Sequence, residues 1–207
     1  AEYHLARAEA LIASADAPAA AAALARAVAA DAGRDQQSQM KFLGAALLRL
    51  KGEEAKARAE YRRVGAGAPD EWSMRARLAA AEDEAALTTL SLAWKSDAFD
   101  RDLLMRQASL RAKAGDFERA LIAYAAVTAR HPESDAALTA QAEAGGVLAA
   151  LFEDASLSPD DAARIFFDHV AFAPPGREGD ALIRSAAARL KTLGLHAQAA
   201  ALIDHQV

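Results

Sequence analysis

Five histidines, His4, His131, His169, His196 and His205, are the first residues to weigh for metal or acid–base chemistry. No two of them stand four apart around a glutamate, so the helical zinc-protease signature is absent. Asp168-His169 and Asp204-His205 are adjacent pairs, and neighbours along a helix point to different faces. Surface and capping positions are therefore expected for all five. Carboxylates gather at Glu82-Asp83-Glu84, at Glu153-Asp154 and at Asp160-Asp161. A calcium loop needs D-x-[DN]-x-[DN]-G spacing, which does not occur. Carboxylates at a helix start are favoured by the helix dipole, and capping is the reading taken. No G-x-x-x-x-G-K-[ST] loop, no G-x-G-x-x-G after a strand and no G-x-S-x-G elbow is present. No nucleophile, base and metal set converges on one element. The expectation is a non-catalytic chain with no cofactor and no metal.

The elements that carry these residues read as helices throughout. The chain has 207 residues and about three in ten are alanine. Alanine and leucine favour helix, and alanine lets helices approach closely while burying little area. A thin, extended core of stacked helix pairs is expected rather than a fat bundle. Net charge is −5 with mixed signs along the chain, without the basic excess of a nucleic-acid binder. No apolar run is long enough to insert in a membrane. Cysteine is absent, which excludes disulfides and thiolate metal sites. The sequence starts at Ala1, not methionine, and reads as a segment of a longer chain whose targeting signal would lie upstream.

An internal repeat organises the sequence. With Gly52 set against Gly115, Ala45 falls on Ala108, Ala57 on Ala120, Tyr61 on Tyr124, Val64 on Val127 and Pro69 on Pro132, with no gap. A third copy places Ala187, Ala199 and Ile203 around Gly194. A weaker copy opens the chain with Ala8, Leu11, Ala20 and Leu24 around a turn near Ala15. Another carries Ala163, Phe167 and Val170 ahead of Pro175, with Ser158 in the glycine position after a loop over Glu153–Leu157. Residues 70–97 fit least well and should form a helix pair broken near Glu82-Asp83. Asp70, Asp116, Ser134 and Ser158 stand where helix N-caps are needed. The aromatics Trp72, Trp94, Phe42, Phe117, Phe166, Phe167 and Phe172 read as core filling between repeats.

This pattern resembles the tetratricopeptide repeat: a small residue in the first helix, glycine at the turn, alanine and then an aromatic in the second, and proline at the exit. The stretch from Ser156 to Val207 also looks like part of large alphaproteobacterial proteins that carry such repeats. The resemblance implies an all-α, right-handed superhelical solenoid of about six antiparallel helix pairs, one domain over residues 1–207. It implies a scaffold that binds a protein or peptide on its concave face. It also implies a periplasmic or envelope setting, with the cytoplasm as the alternative.

In the family, the first helix of each pair lines the concave face. Carried over, those offsets give Phe42 and Arg49 in one copy, Asp102, Arg106 and Lys113 in the next, and Arg184 and Lys191 in the last. The five cations Arg49, Arg106, Lys113, Arg184 and Lys191 face a single carboxylate, Asp102. A basic inner face on an acidic chain suits an acidic partner or a terminal carboxylate. The asparagine of the family's carboxylate-binding members is missing, because the chain has no asparagine. The alternative is a structural spacer or self-association module of a larger envelope protein, including a homo-oligomer joined end to end.

Overall fold

The computed structural model describes every residue except 31, 32, 154–156 and 205–207, and describes residues 34 and 35 by backbone alone. Asp154 and His205 fall outside the described residues. Within them the chain is all-α, with no strand. Twelve helices pack in consecutive pairs: α1 (Glu2–Ala13), α2 (Ala17–Ala29), α3 (Arg34–Leu50), α4 (Glu54–Gly65), α5 (Glu71–Ala80), α6 (Glu84–Ala93), α7 (Asp97–Lys113), α8 (Phe117–Arg130), α9 (Asp135–Ala150), α10 (Pro159–Asp168), α11 (Arg177–Thr192) and α12 (His196–Asp204). A single 3-10 turn, Val170–Phe172, follows α10.

The hairpins close at left-handed residues. Gly52, Gly115 and Gly194 have φ of 79°, 79° and 83°, a conformation that glycine reaches without a Cβ penalty. In the first hairpin Ala15 does the same at φ 60°, where a side chain is strained. Helix starts follow the capping residues. The side chains of Asp70, Asp116, Ser134 and Ser158 accept from the backbone N–H three residues on. Asp16 and Asp83 do likewise for α2 and α6, so the break at Glu82-Asp83 is a helix start. Asp70 is the strongest of these caps, because Ser73 Oγ accepts from its backbone N–H and completes a capping box.

Contacts cluster into two compact units, Ala1–Leu103 and Leu104–Val207. In the first, Leu5, Leu43, Leu47, Tyr61 and Val64 interlock with Ala8, Ala20, Ala45, Ala57 and Ala76. In the second, Leu121, Tyr124, Val127, Leu148, Phe166 and Leu190 interlock with Ala108, Ala120, Ala144, Ala163 and Ala187. The repeat positions Ala45, Ala57, Tyr61 and Val64 and their partners Ala108, Ala120, Tyr124 and Val127 are all buried. Each buried leucine or aromatic contributes about 1.5–3 kcal/mol, and the alanines let helix backbones come close enough to make those contacts. In the last copy Ile203 departs from this pattern: it is exposed, and Leu202 fills the core instead. In the weaker copies Leu11, Phe167 and Val170 are only half-buried.

One helix end and one connecting strap depend on side chains or glycines of neighbouring elements. Arg77 of α5 donates from Nε to Gly65 O (2.6 Å) and from Nη2 to Gly67 O (3.3 Å), which satisfies carbonyls at the end of α4. Gly145 of α9 and Gly179 of α11 hold the 172–176 strap: a Cβ on Gly179 would lie 1.8 Å from Pro174 O, and one on Gly145 3.2 Å from Phe172 O. Gln141 Nε2 fastens the same strap by donating to Ala171 O (3.2 Å).

Candidate protein-binding face

In the first unit α1 packs on α3 and α3 on α5. These three odd-numbered helices and the opening turns of α7 bring together side chains that a plain apolar core does not require. Arg75 of α5 is at the centre. Its Nε donates to Asp102 Oδ2 of α7 at 2.7 Å, and its Nη1 donates to Glu9 Oε1 of α1 at 3.3 Å. The guanidinium carbon lies 5.1 Å from the Phe42 ring centre and 4.7 Å from the Trp72 ring centre. Those two rings are 5.4 Å apart, tilted by 50°. The three distances describe a near-equilateral triangle, so the cation rests in the notch between the rings. A second arginine, Arg101, donates to Asp102 Oδ1 from Nε and Nη2 at 3.3 Å.

Burial and charge set the character of this cluster. Burial acts against the Arg75 cation, yet Asp102 and then Glu9 hold its pKa above the ordinary arginine value, so the charge is locked in. Phe42 also touches Tyr61, at 5.4 Å between ring centres. The Tyr61 hydroxyl is buried with no partner among the described residues. Burial pushes that phenol up from its usual value. Tyr124, its counterpart in the second unit, donates to Glu143 Oε2 at 2.6 Å. Behind the face, Glu71 accepts from Trp94 Nε1 (3.0 Å) and Ser96 Oγ (2.9 Å), tying the loop before α7 to α5.

The five cations expected from the sequence are distributed over both units. Arg49, in the last turn of α3, is exposed and lies 6.0 Å from the Tyr61 ring centre. Lys113, Arg184 and Lys191 are exposed on α7 and α11, and Arg106 is half-buried on α7. Phe42, expected on the open face, is 9% exposed and belongs to the core. Its ring edge is shared between the core and the Arg75 notch. Arg75, Glu9 and Trp72 were missing from the sequence-derived face. Glu9 and Arg75 are 66 positions apart, and only packing of α1, α3 and α5 side by side brings them together.

Several of the remaining chemistry-bearing residues have structural partners, whereas His4 Nδ1 is buried with no hydrogen-bond partner among the described residues. Glu82 accepts from Arg58 at 2.6 Å, and Asp160 and Asp161 sit in the first turn of α10. Glu118 receives both Nη atoms of Arg164, at 2.7 and 3.1 Å, and that hydrogen-bonded pair lowers the glutamate's pKa. His169 ends α10 and stacks on Phe172 at 6.4 Å, where burial lowers its pKa. Among the described residues no group of three or more His, Asp or Glu could hold a metal ion. None of the described helices is long and apolar enough to cross a membrane. Comparison with known protein families, with curated proteins and with solved structures finds no match.

Proposed function

We propose that this chain is a non-catalytic scaffold of tetratricopeptide type, which holds a protein or peptide segment on the face formed by its odd-numbered helices. The observation that carries the reading is the Glu9–Arg75–Asp102 cluster on the Phe42–Trp72 notch. The arginine is largely buried while its two carboxylates keep 28% and 41% of their side chains exposed, so the cluster adds little to the stability of the core. Arginine and tryptophan are, in contrast, the residues on which binding energy concentrates at protein interfaces. The repeat alignment, the left-handed turn glycines and the consecutive helix pairs support a superhelical stack. Each unit also carries cations of its own that suit an acidic partner in a periplasmic or envelope setting: exposed Arg49 in the first, and exposed Lys113, Arg184 and Lys191 with half-buried Arg106 in the second.

The test is capture from bacterial envelope and soluble extracts by the native chain and by the folded triple variant Arg49→Glu, Arg184→Glu and Lys191→Glu. A partner held by the native chain and released by the variant supports the scaffold reading, and its compartment bears on localisation. A partner that ignores all three reversals removes the basic face from the proposal. The spacer reading draws on exposed Leu92 and Leu138, which suit self-association. Sedimentation over a range of concentrations separates it: mass rising with concentration favours the spacer.

A further inference from the structure

We infer that Arg75 is the anion anchor of this face, taking the side-chain carboxylate of an acidic peptide segment, and that Glu9 holds this place in the free protein. The inference rests on the scaffold reading and adds the partner's chemistry and a built-in competitor.

A guanidinium has five N–H donors. Arg75 uses Nε toward Asp102 and one Nη1 hydrogen toward Glu9. Among the described residues its Nη2 pair and second Nη1 hydrogen meet no acceptor. One hydrogen from each Nη makes up the Nη1–Nη2 edge, the fork that grips a carboxylate with two parallel hydrogen bonds once Glu9 leaves Nη1. Asp102 fixes the opposite end of the guanidinium, and the aromatic notch supports it, so the edge is oriented before any ligand arrives. Pre-orientation of this kind lowers the entropy cost of binding.

The two resident carboxylates are not equivalent. Asp102 is bound at 2.7 Å and its side chain is 28% exposed; Glu9 is bound at 3.3 Å and is 41% exposed. Arg75 itself is 12% exposed. Glu9 is therefore the outer and looser contact, and swinging away returns its carboxylate to water at little cost. Glu9, Asp102, Arg75 and Arg101 sum to zero charge. A carboxylate that replaces Glu9 restores that balance, whereas a doubly charged phosphate would leave an excess beside the fixed Asp102. The group displaced is a glutamate side chain presented from a helix, so a glutamate or aspartate side chain is the occupant that fits. An apolar neighbour in the same segment would lie on the half-buried Trp72.

The experiment is selection of phage-displayed random dodecapeptides on the whole chain, followed by affinity measurement on a synthetic winner with its termini blocked. The expected result is a shared acidic position. Changing that position to its amide, or Arg75→Gln in the protein, should weaken binding about tenfold or more. Glu9→Gln should tighten it about two- to fivefold, the worth of an exposed ion pair removed as a competitor. Glu9 is partly exposed, so this variant decides the matter even if Arg75→Gln fails to fold. Enriched peptides without an acidic position, or binding unmoved by Glu9→Gln, overturn the anchor while leaving the scaffold reading in place. Selection that enriches no peptide overturns both.

Discussion

Two tyrosines at one repeat position make opposite predictions when their hydroxyls are deleted. Tyr61 is 2% exposed and its oxygen has no partner among the described residues. A buried hydroxyl without a hydrogen bond costs about 1–3 kcal/mol. Tyr61→Phe removes that cost, keeps the ring contacts with Phe42, and leaves a void of one oxygen. The expected change is a stabilisation of about 1 kcal/mol, or about 4–8 °C in Tm for a unit near 100 residues. Tyr124→Phe removes a 2.6 Å hydrogen bond to the Glu143 carboxylate. Bonds to charged groups contribute about 1.5–3 kcal/mol, but Glu143 is exposed and regains water, so a loss of about 1 kcal/mol is expected. Helical circular dichroism followed through urea and heat gives both numbers. A loss of 1 kcal/mol or more in Tyr61→Phe would refute the reasoning, since it would mean the hydroxyl has a partner.

Gly179→Ala places a Cβ against the Pro174 carbonyl and should cost about 3 kcal/mol or more, read as a lowered urea midpoint; Gly146→Ala, which meets nothing, is the control. At Ala15, glycine relieves about 1–2 kcal/mol of left-handed strain and returns up to about 1 kcal/mol through unfolded-chain entropy, so Ala15→Gly should stabilise by about 0.5 kcal/mol in the same assay. Asp70 has a lowered pKa: partial burial opposes the charge, but hydrogen bonds from the Ser73 backbone, Ser38 and the Ser73 side chain outweigh it. A depressed carboxyl contributes stability above its unfolded value near 4 and loses it as pH falls through the lower folded value. Urea midpoints should therefore drop between about pH 4 and pH 2, with a shallower slope in Asp70→Asn. Breaking the exposed Arg164–Glu118 pair with Arg164→Gln should lower the urea midpoint only slightly, and the difference should shrink in about 0.5 M salt.

The hairpin framework was legible in the sequence because its signals are local. A cap acts over three residues and a turn glycine over five, so Asp70, Asp116, Ser134, Ser158, Gly52, Gly115 and Gly194 could be placed from spacing alone. The Arg75 cluster proposed as a binding face was legible only in part. Arg49 and Asp102 came from repeat offsets, but Arg75 did not, because α5 and α6 have ten residues each and that repeat is shorter than its neighbours. Tyr61 and Tyr124 look equivalent in sequence, yet one hydroxyl meets a glutamate and the other meets no partner among the described residues. That difference lies in the facing helix, which the alignment of a repeat with itself does not see.

The guanidinium of Arg77 on the last carbonyls of α4 bears on how the chain unfolds. A hairpin whose exposed end is closed by its own residues can open and shut alone. The α3–α4 hairpin cannot, because two of its terminal acceptors are met from α5. Opening α5 leaves those carbonyls bare and destabilises the turn before them, so the two hairpins should exchange their amide hydrogens as one cooperative block. Replacing Arg77 with methionine would preserve much of the stem's packing and remove the tie. The end of α4 would then exchange faster than its beginning, and the block would divide at residues 66–70.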